Sequence, residues 1–146
     1  METVKIKKLY PGAQLPRYGT EFSAGADLCA CLDKPVTLQP NETRMISIGI
    51  SVELPAGYAG LIFARSGLAS KQGLAPANKV GVVDSDYRGE WFVPLHNHSG
   101  KPQVIEPGER IAQLIITPYL TAKFIESDTL SETVRGTGGF GSTGVK

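Results

Sequence analysis

Short stretches of alternating apolar and polar residues, separated by turns, recur along this chain. The alternation is clear in Val4–Ile6, Met45–Val52 and Trp91–Leu95, and it is the pattern of half-buried strands. Seventeen glycines and ten prolines disfavour long helices. Residues suited to β-turns fall between the apolar stretches, at 11–12, 40–42, 55–57, 99–102 and 107–108. The pattern predicts an all-β sandwich or barrel.

One segment is predicted to be helical. It runs from Ser66 to Gln72, with Ser66 as the N-cap and Gly73 as the residue that ends it. The last strand is expected to end near Glu126. Beyond it the apolar residues become sparse, so we predict a single β domain over 1–128 and a flexible C-terminal arm over 129–146, ordered by a ligand or a neighbouring subunit.

Charge and hydropathy restrict the kinds of partner. Fifteen basic and fourteen acidic residues give a formal charge of +1, so no overall field attracts nucleic acid or an anionic membrane. Any phosphate binding must therefore be local. No apolar run approaches the roughly 20 residues of a membrane span, and the N-terminus lacks the apolar stretch of a signal peptide. These features predict a cytoplasmic protein.

The cysteines and histidines form two short pairs. Cys29 and Cys31 are two residues apart and would share one face of a strand, which predicts reduced thiols. His96 and His98 have the same spacing. A zinc site built from both pairs is disfavoured, because strand alternation already accounts for each pair.

Two glycine-containing segments in the first half carry polar side chains. In 24–28, Asp27 follows a glycine and is either an ordinary turn aspartate or a carboxylate facing a metal ion; in isolation the turn is favoured. In 64–69, Arg65 and Ser66 lie at the start of the predicted helix, where free amides and the helix dipole favour an anion.

Three further polar segments interrupt the predicted strands or follow the last one. Residues 81–90 join an apolar strand to an acidic turn that contains Tyr87, and Gln113 interrupts an apolar strand in 108–114. A buried glutamine needs partners, so it is a network residue or a ligand contact. Residues 135–144 combine five glycines with an arginine, hydroxyls and one phenylalanine. They form either a phosphate clamp or a disordered end, and composition alone favours the disordered end.

Taken together and in order, these five segments, from Ala24 to Gly144, resemble the five motifs of the homotrimeric deoxyuridine triphosphatases, the dUTP diphosphatases. The resemblance implies a distorted jelly-roll β fold and a homotrimer with shared active sites. It also implies hydrolysis of dUTP to dUMP and pyrophosphate with Mg2+, which lowers dUTP and supplies dUMP for thymidylate synthesis.

The resemblance also assigns roles to individual residues. Asp84 resembles the group that orients and deprotonates the water attacking the α-phosphorus, and Asp27 resembles the carboxylate that holds Mg2+ through its water shell. Tyr87 resembles the ring that packs on the deoxyribose and excludes a 2′-hydroxyl, and Phe140 the ring that stacks over uracil. The other implied substrate contacts are Arg65, Ser66, Gly67 and Gln113 for the phosphates, Asn78 and Gly81 in the uracil hairpin, and Arg135, Gly141, Ser142 and Thr143 in the tail.

Two alternatives stay open at this point. One is a dCTP deaminase-like enzyme of the same superfold, although the hairpin from Asp84 to Tyr87 matches the hydrolase better. The other is a nucleotide-sensing module without turnover, which the intact set of Asp27, Asp84 and Arg65 disfavours.

Overall fold

The computed structural model describes residues 3–139. Over this range the chain forms twelve short strands and one helix. The strands are β1 (Lys5–Lys8), β2 (Arg17–Tyr18), β3 (Ala26–Cys29), β4 (Val36–Leu38), β5 (Thr43–Ser47), β6 (Ile50–Glu53), β7 (Tyr58–Phe63), β8 (Leu74–Pro76), β9 (Gly81–Val83), β10 (Phe92–Asn97), β11 (Gln103–Ile105) and β12 (Arg110–Pro118), and the helix is α1 (Ser66–Gln72). The described pairings are all antiparallel. The prediction of an all-β fold with one short helix is confirmed.

The largest sheet has five strands in the order β2-β3-β12-β7-β9, and three smaller sheets pair β1 with β6, β5 with β10 and β8, and β4 with β11. Strand β12 lies at the centre of the large sheet. Its Gln113 is opposite Asp27 of β3 on one side and Phe63 of β7 on the other. Directly opposed residues project from the same face of a sheet, so Asp27, Gln113 and Phe63 lie side by side on one face of β3, β12 and β7.

One hydrophobic core fills the space between the sheets. Its largest fully buried side chain is Trp91, and the inward residues of most strands surround it. In β12 both Ile111 and Ala112 are buried, which strict alternation forbids. A register shift between Arg110 and Ala112 inserts one extra residue there, so Gln113 then points away from the core while Leu114 points into it.

The structure corrects two of the predicted strand boundaries. The run Met45–Val52 is divided between β5 and β6, because Gly49 has a φ of +72° and a Cβ there would lie 2.5 Å from the Cys31 sulphur. The last strand ends at Pro118 rather than near Glu126. Residues 119–139 form neither helix nor strand.

The helix has the predicted bounds, but its N-cap is Arg65 rather than Ser66. Arg65 is extended, with φ −85° and ψ 129°, and no side chain caps the helix. Ser66 is the first helical residue. Gly73 ends the helix in the left-handed conformation, with a φ of +68°. Within residues 3–139, no helix is long and apolar enough to cross a membrane.

Candidate active site

A cleft of about 420 Å³ opens on the outer face of the five-stranded sheet, where β3, β12 and the start of α1 meet. We term it the Asp27 cleft. It contains five residues that the sequence assigned to the site, Asp27, Arg65, Ser66, Gly67 and Gln113. Its other lining residues are Gly19, Ser23, Ala24, Gly25, Arg110 and Ile115.

Two arginines share the carboxylate of Asp27. Arg65 Nε donates to Asp27 Oδ1 at 2.7 Å, and an Arg110 guanidinium nitrogen donates to Oδ2 at 3.1 Å. A terminal guanidinium nitrogen of Arg65, Nη1, donates to the carbonyl oxygen of Arg110 at 3.2 Å. The side chains of Asp27 and Arg65 are only 18% and 27% exposed. Two guanidiniums around one carboxylate leave a local positive charge, which suits a polyanion.

Sequence reasoning missed Arg110. It lies inside the segment 108–114 that drew attention to Gln113, and it occupies the first position of β12, opposite Cys29. Asp27 and Arg110 are separated by 83 residues. No pattern in the chain predicts their ion pair, since it depends on β3 pairing with β12.

Gln113 fixes the loop that precedes Arg65. Its Nε2 donates to the carbonyl oxygen of Ala64 at 2.8 Å. Its amide also packs against Gly25, where an added Cβ would overlap the side-chain oxygen and lie 3.1 Å from Cδ. Gln113 is therefore a network residue, and Gly25 allows the close approach. A direct contact between Gln113 and a ligand stays a prediction.

At the beginning of α1 the backbone is accessible. A Cβ added at Gly67 would meet nothing within 4 Å. The first amides of a helix have no acceptors within it. Ser66 and Gly67 therefore present backbone donors at the wall of the cleft, and their contact with phosphate stays a prediction.

The hairpin that carries Asn78, Gly81, Asp84 and Tyr87 lies outside the Asp27 cleft. We term residues 78–87 the Asp84 hairpin. Its strand β9 pairs with β7, so that Gly81 is opposite Ile62 and Val83 is opposite Gly60. A Cβ added at Gly81 would lie 3.3 Å from Asn78 Nδ2, so the Asn78 side chain lies close to this glycine. Neither residue lines the Asp27 cleft.

The ring of Tyr87 is held by backbone atoms. Its hydroxyl donates to the carbonyl oxygen of Glu90 at 3.1 Å, and its amide donates to the carbonyl oxygen of Asp84 at 3.2 Å. A Cβ added at Gly89 would lie 2.5 Å from Tyr87 Cζ. Glycine at that position therefore lets the ring lie flat against the chain while 47% of the residue stays exposed.

The two predicted carboxylates are far apart within one chain. Asp27 on β3 is in register with Phe63 of β7. Asp84 follows Val83 of β9, which is opposite Gly60 of β7, so it lies three strands away from Asp27 and about four residues further along the strand direction. Spacings of about 4.8 Å between strands and about 3.3 Å along them put the two Cα atoms about 19 Å apart along the sheet. Within one chain, the two predicted carboxylates therefore belong to separate parts of the surface.

The predicted tail residues are only partly described. Arg135 donates through Nε to the carbonyl oxygen of Gly138 at 2.8 Å, within a turn that does not line the Asp27 cleft. Phe140, Gly141, Ser142 and Thr143 lie outside the described residues. Upstream of the turn, large apolar side chains are exposed at Leu120, Phe124, Ile125, Leu130 and Val134.

Both cysteines are free, as predicted. Burial raises the pKa of each thiol, and the nearby Asp27 carboxylate adds to this effect at Cys29. The His96 and His98 rings contact each other, with centroids 4.3 Å apart. Among residues 3–139, no three histidine, cysteine, aspartate or glutamate side chains are grouped to hold a metal ion.

Fold and cleft together define an all-β protein with a positively charged cleft on the outer face of a sheet. Comparison with known proteins gives a family. A sequence model of the dUTPase family matches residues 12–144, and the chain belongs to this family.

Its relatives span nearly its full length. It is 49% identical to the deoxyuridine 5′-triphosphate nucleotidohydrolase of Desulfitobacterium hafniense, over 99% of both chains. It is 52% identical to the enzyme of the same name from Maricaulis maris, over 98% of this chain and 97% of the other. Among solved structures, a mutant dUTPase of Staphylococcus bacteriophage 80alpha with dUpNHpp superposes with a TM-score of 0.90 at 29% identity, over 99% of this chain and 100% of that one.

Proposed function

We propose that this protein hydrolyses dUTP to dUMP and pyrophosphate. The observation that carries the proposal is the convergence of Asp27, Arg65 and Gln113 in one positively charged cleft. Family membership and the names of full-length relatives point to the same reaction. A small net charge does not conflict with a triphosphate substrate, because the guanidiniums provide a local field.

The cleft fits Mg2+ held mainly by substrate and water. Among its lining residues Asp27 supplies the one carboxylate, and both of its oxygens accept hydrogen bonds from arginines. A single carboxylate suits Mg2+, which dehydrates reluctantly and prefers phosphate oxygens. When bound, the ion neutralises phosphate charge. A structural Mg(II) ion is named for the related dUTPase of phage phi11 of S. aureus, at 24% identity and a TM-score of 0.81 over 90% of this chain and all of that one.

Asp84 serves as the general base. Its carboxylate holds a water in line with the α-phosphorus and takes its proton, while Arg65 and the amides of Ser66 and Gly67 bind the phosphates. Since Asp84 and Asp27 of one chain are about 19 Å apart, the Asp84 that completes a cleft comes from another copy of the chain. This requirement supports an oligomer with shared sites, and the family resemblance makes that oligomer a homotrimer.

The Asp84 hairpin selects the nucleotide. Asn78 and the hairpin backbone near Gly81 recognise uracil and leave no room for a 5-methyl group. Tyr87, fixed by its hydrogen bond to the Glu90 carbonyl oxygen, packs on the deoxyribose and excludes a 2′-hydroxyl by steric conflict.

The C-terminal segment closes the site. Arg135, Ser142 and Thr143 bind the terminal phosphate, with Gly141 allowing close approach, and Phe140 stacks on uracil. The conformational entropy that this segment loses on ordering is offset only by its contacts with bound nucleotide.

The test is release of pyrophosphate from dUTP with Mg2+, compared with UTP, dTTP and dCTP. We expect rapid pyrophosphate release from dUTP and much slower release from the other three nucleotides. Binding of dUTP without pyrophosphate release would support a sensing module instead, and ammonia release from dCTP would support a deaminase. Either result contradicts the proposed hydrolysis.

A further inference from the structure

A second pocket adjoins the Asp27 cleft on the same face of the sheet. It has a volume of about 340 Å³ and shares Gly19, Asp27 and Arg110 with the cleft. Its other lining residues are Gln14, Arg17, Tyr18, Cys29 and Gly108. We term it the arginine pocket, because Arg17 and Arg110 both line it.

The strand register brings the charged groups of this pocket together. Arg17 on β2 is opposite Asp27, and Arg110 on β12 is opposite Cys29, on the other side of β3. Opposed residues, and residues two apart on one strand, share a face. Two strand spacings and two residues along the strand separate the Cα atoms of Arg17 and Arg110 by about 12 Å. Their long side chains can converge on a compact anion from that separation.

The pocket carries uncompensated positive charge. Both oxygens of Asp27 are already occupied, by Arg65 and Arg110. The side chain of Arg17, in contrast, makes no ion pair with another residue of the described range 3–139. Arg17 lines the same pocket without pairing with Asp27, so its charge adds to that of Arg110.

We propose that the arginine pocket is a second anion subsite that takes pyrophosphate after it leaves the Asp27 cleft. The identity of this ligand rests on the proposed hydrolysis of dUTP. The pocket shares the Asp27 and Arg110 wall with the cleft in which the leaving group forms. Two arginines that approach from opposite sides suit a small anion with charge at both ends.

Calorimetric titration with sodium pyrophosphate tests the subsite directly. The proteins are the full-length wild type, Arg17→Gln and the control Lys34→Gln, which removes the same charge from an exposed turn away from the pocket. Mg2+ is omitted because pyrophosphate chelates it. We expect Arg17→Gln to raise the Kd about five- to tenfold, as for one partly exposed charge-assisted hydrogen bond, and Lys34→Gln to leave it unchanged.

Two further measurements separate the pocket from the cleft. With dUpNHpp saturating the cleft, pyrophosphate should still bind to the wild type, and the KM of Arg17→Gln for dUTP should stay within about twofold of the wild type. Equal Kd values in all three proteins, loss of binding under dUpNHpp, or a KM that rises as much as the Kd would each overturn the subsite. If the wild type does not hydrolyse dUTP, the proposed function fails, and the titrations still decide whether the pocket binds pyrophosphate.

Discussion

The separation of the two carboxylates makes a quantitative prediction about mixed oligomers. Asp27→Asn disables the Asp27 cleft of a chain, and Asp84→Asn disables its hairpin. A base must hold its water about 3 Å from the reacting phosphorus, so rotation of side chains cannot close a gap of about 19 Å. If each cleft uses the hairpin of another subunit, two inactive variants can together form an intact site.

The expected magnitude follows from random assembly. In a trimer formed from equal amounts of the two variants, a cleft is intact when it belongs to an Asp84→Asn chain and its hairpin comes from an Asp27→Asn chain. Each condition holds for half of the positions, so about one quarter of the sites should be active. The rate of pyrophosphate release by each variant alone should be about 10²- to 10⁴-fold lower than that of the wild type.

The assay is steady-state pyrophosphate release after the two variants are refolded together, with the mixed species confirmed by native mass spectrometry. The matched control combines Asp27→Asn with Arg65→Gln. Both changes disable the same cleft, so this mixture should recover no activity. Mixed trimers that stay inactive with the first pair, or activity that returns with the control pair, would refute the reasoning.

Four further predictions concern Asp84, the C-terminal segment, Gly89 and Cys29. Asp84→Asn should lower kcat about 10²- to 10⁴-fold while the Kd for dUpNHpp stays nearly constant; a weaker Kd with normal kcat would contradict its role as base. Truncation before Gly136 should impair turnover and leave the oligomer assembled, as measured by kinetics and light scattering, and an unchanged rate would argue against a lid. Gly89→Ala should displace the Tyr87 ring, since the new Cβ would lie 2.5 Å from Cζ; we expect a loss of about 1–3 kcal/mol in unfolding free energy, measured by denaturant unfolding, together with weaker discrimination against UTP. Because burial raises the pKa of Cys29, its thiolate should form at higher pH than that of an ordinary cysteine. Alkylation of Cys29 by iodoacetamide at pH 8, followed by mass spectrometry, should therefore be slower than alkylation of a model thiol.

Much of the local structure could be predicted because its causes are local. Glycine and proline set the turns at 11–12, 55–57 and 107–108, and Gly73 ends the helix where the sequence placed its end. The division of Met45–Val52 could not be predicted in this way. Position 49 must be glycine because its φ is positive and because the Cys31 side chain packs against it, and this contact comes from another part of the sequence.

The sequence by itself determined the family resemblance, the strand-rich fold and the chemical groups available to the site, since these depend on residue types and their order. Only the tertiary structure decided how those groups are arranged. A strand's period of two determines which residues share a face, but not which strands pair or in what register. The β3–β12 register sets Asp27 beside Arg110, and the β7–β9 pairing sets Asp84 about 19 Å from Asp27. The ion-paired cleft and its separation from the base are therefore consequences of strand pairing across long sequence distances.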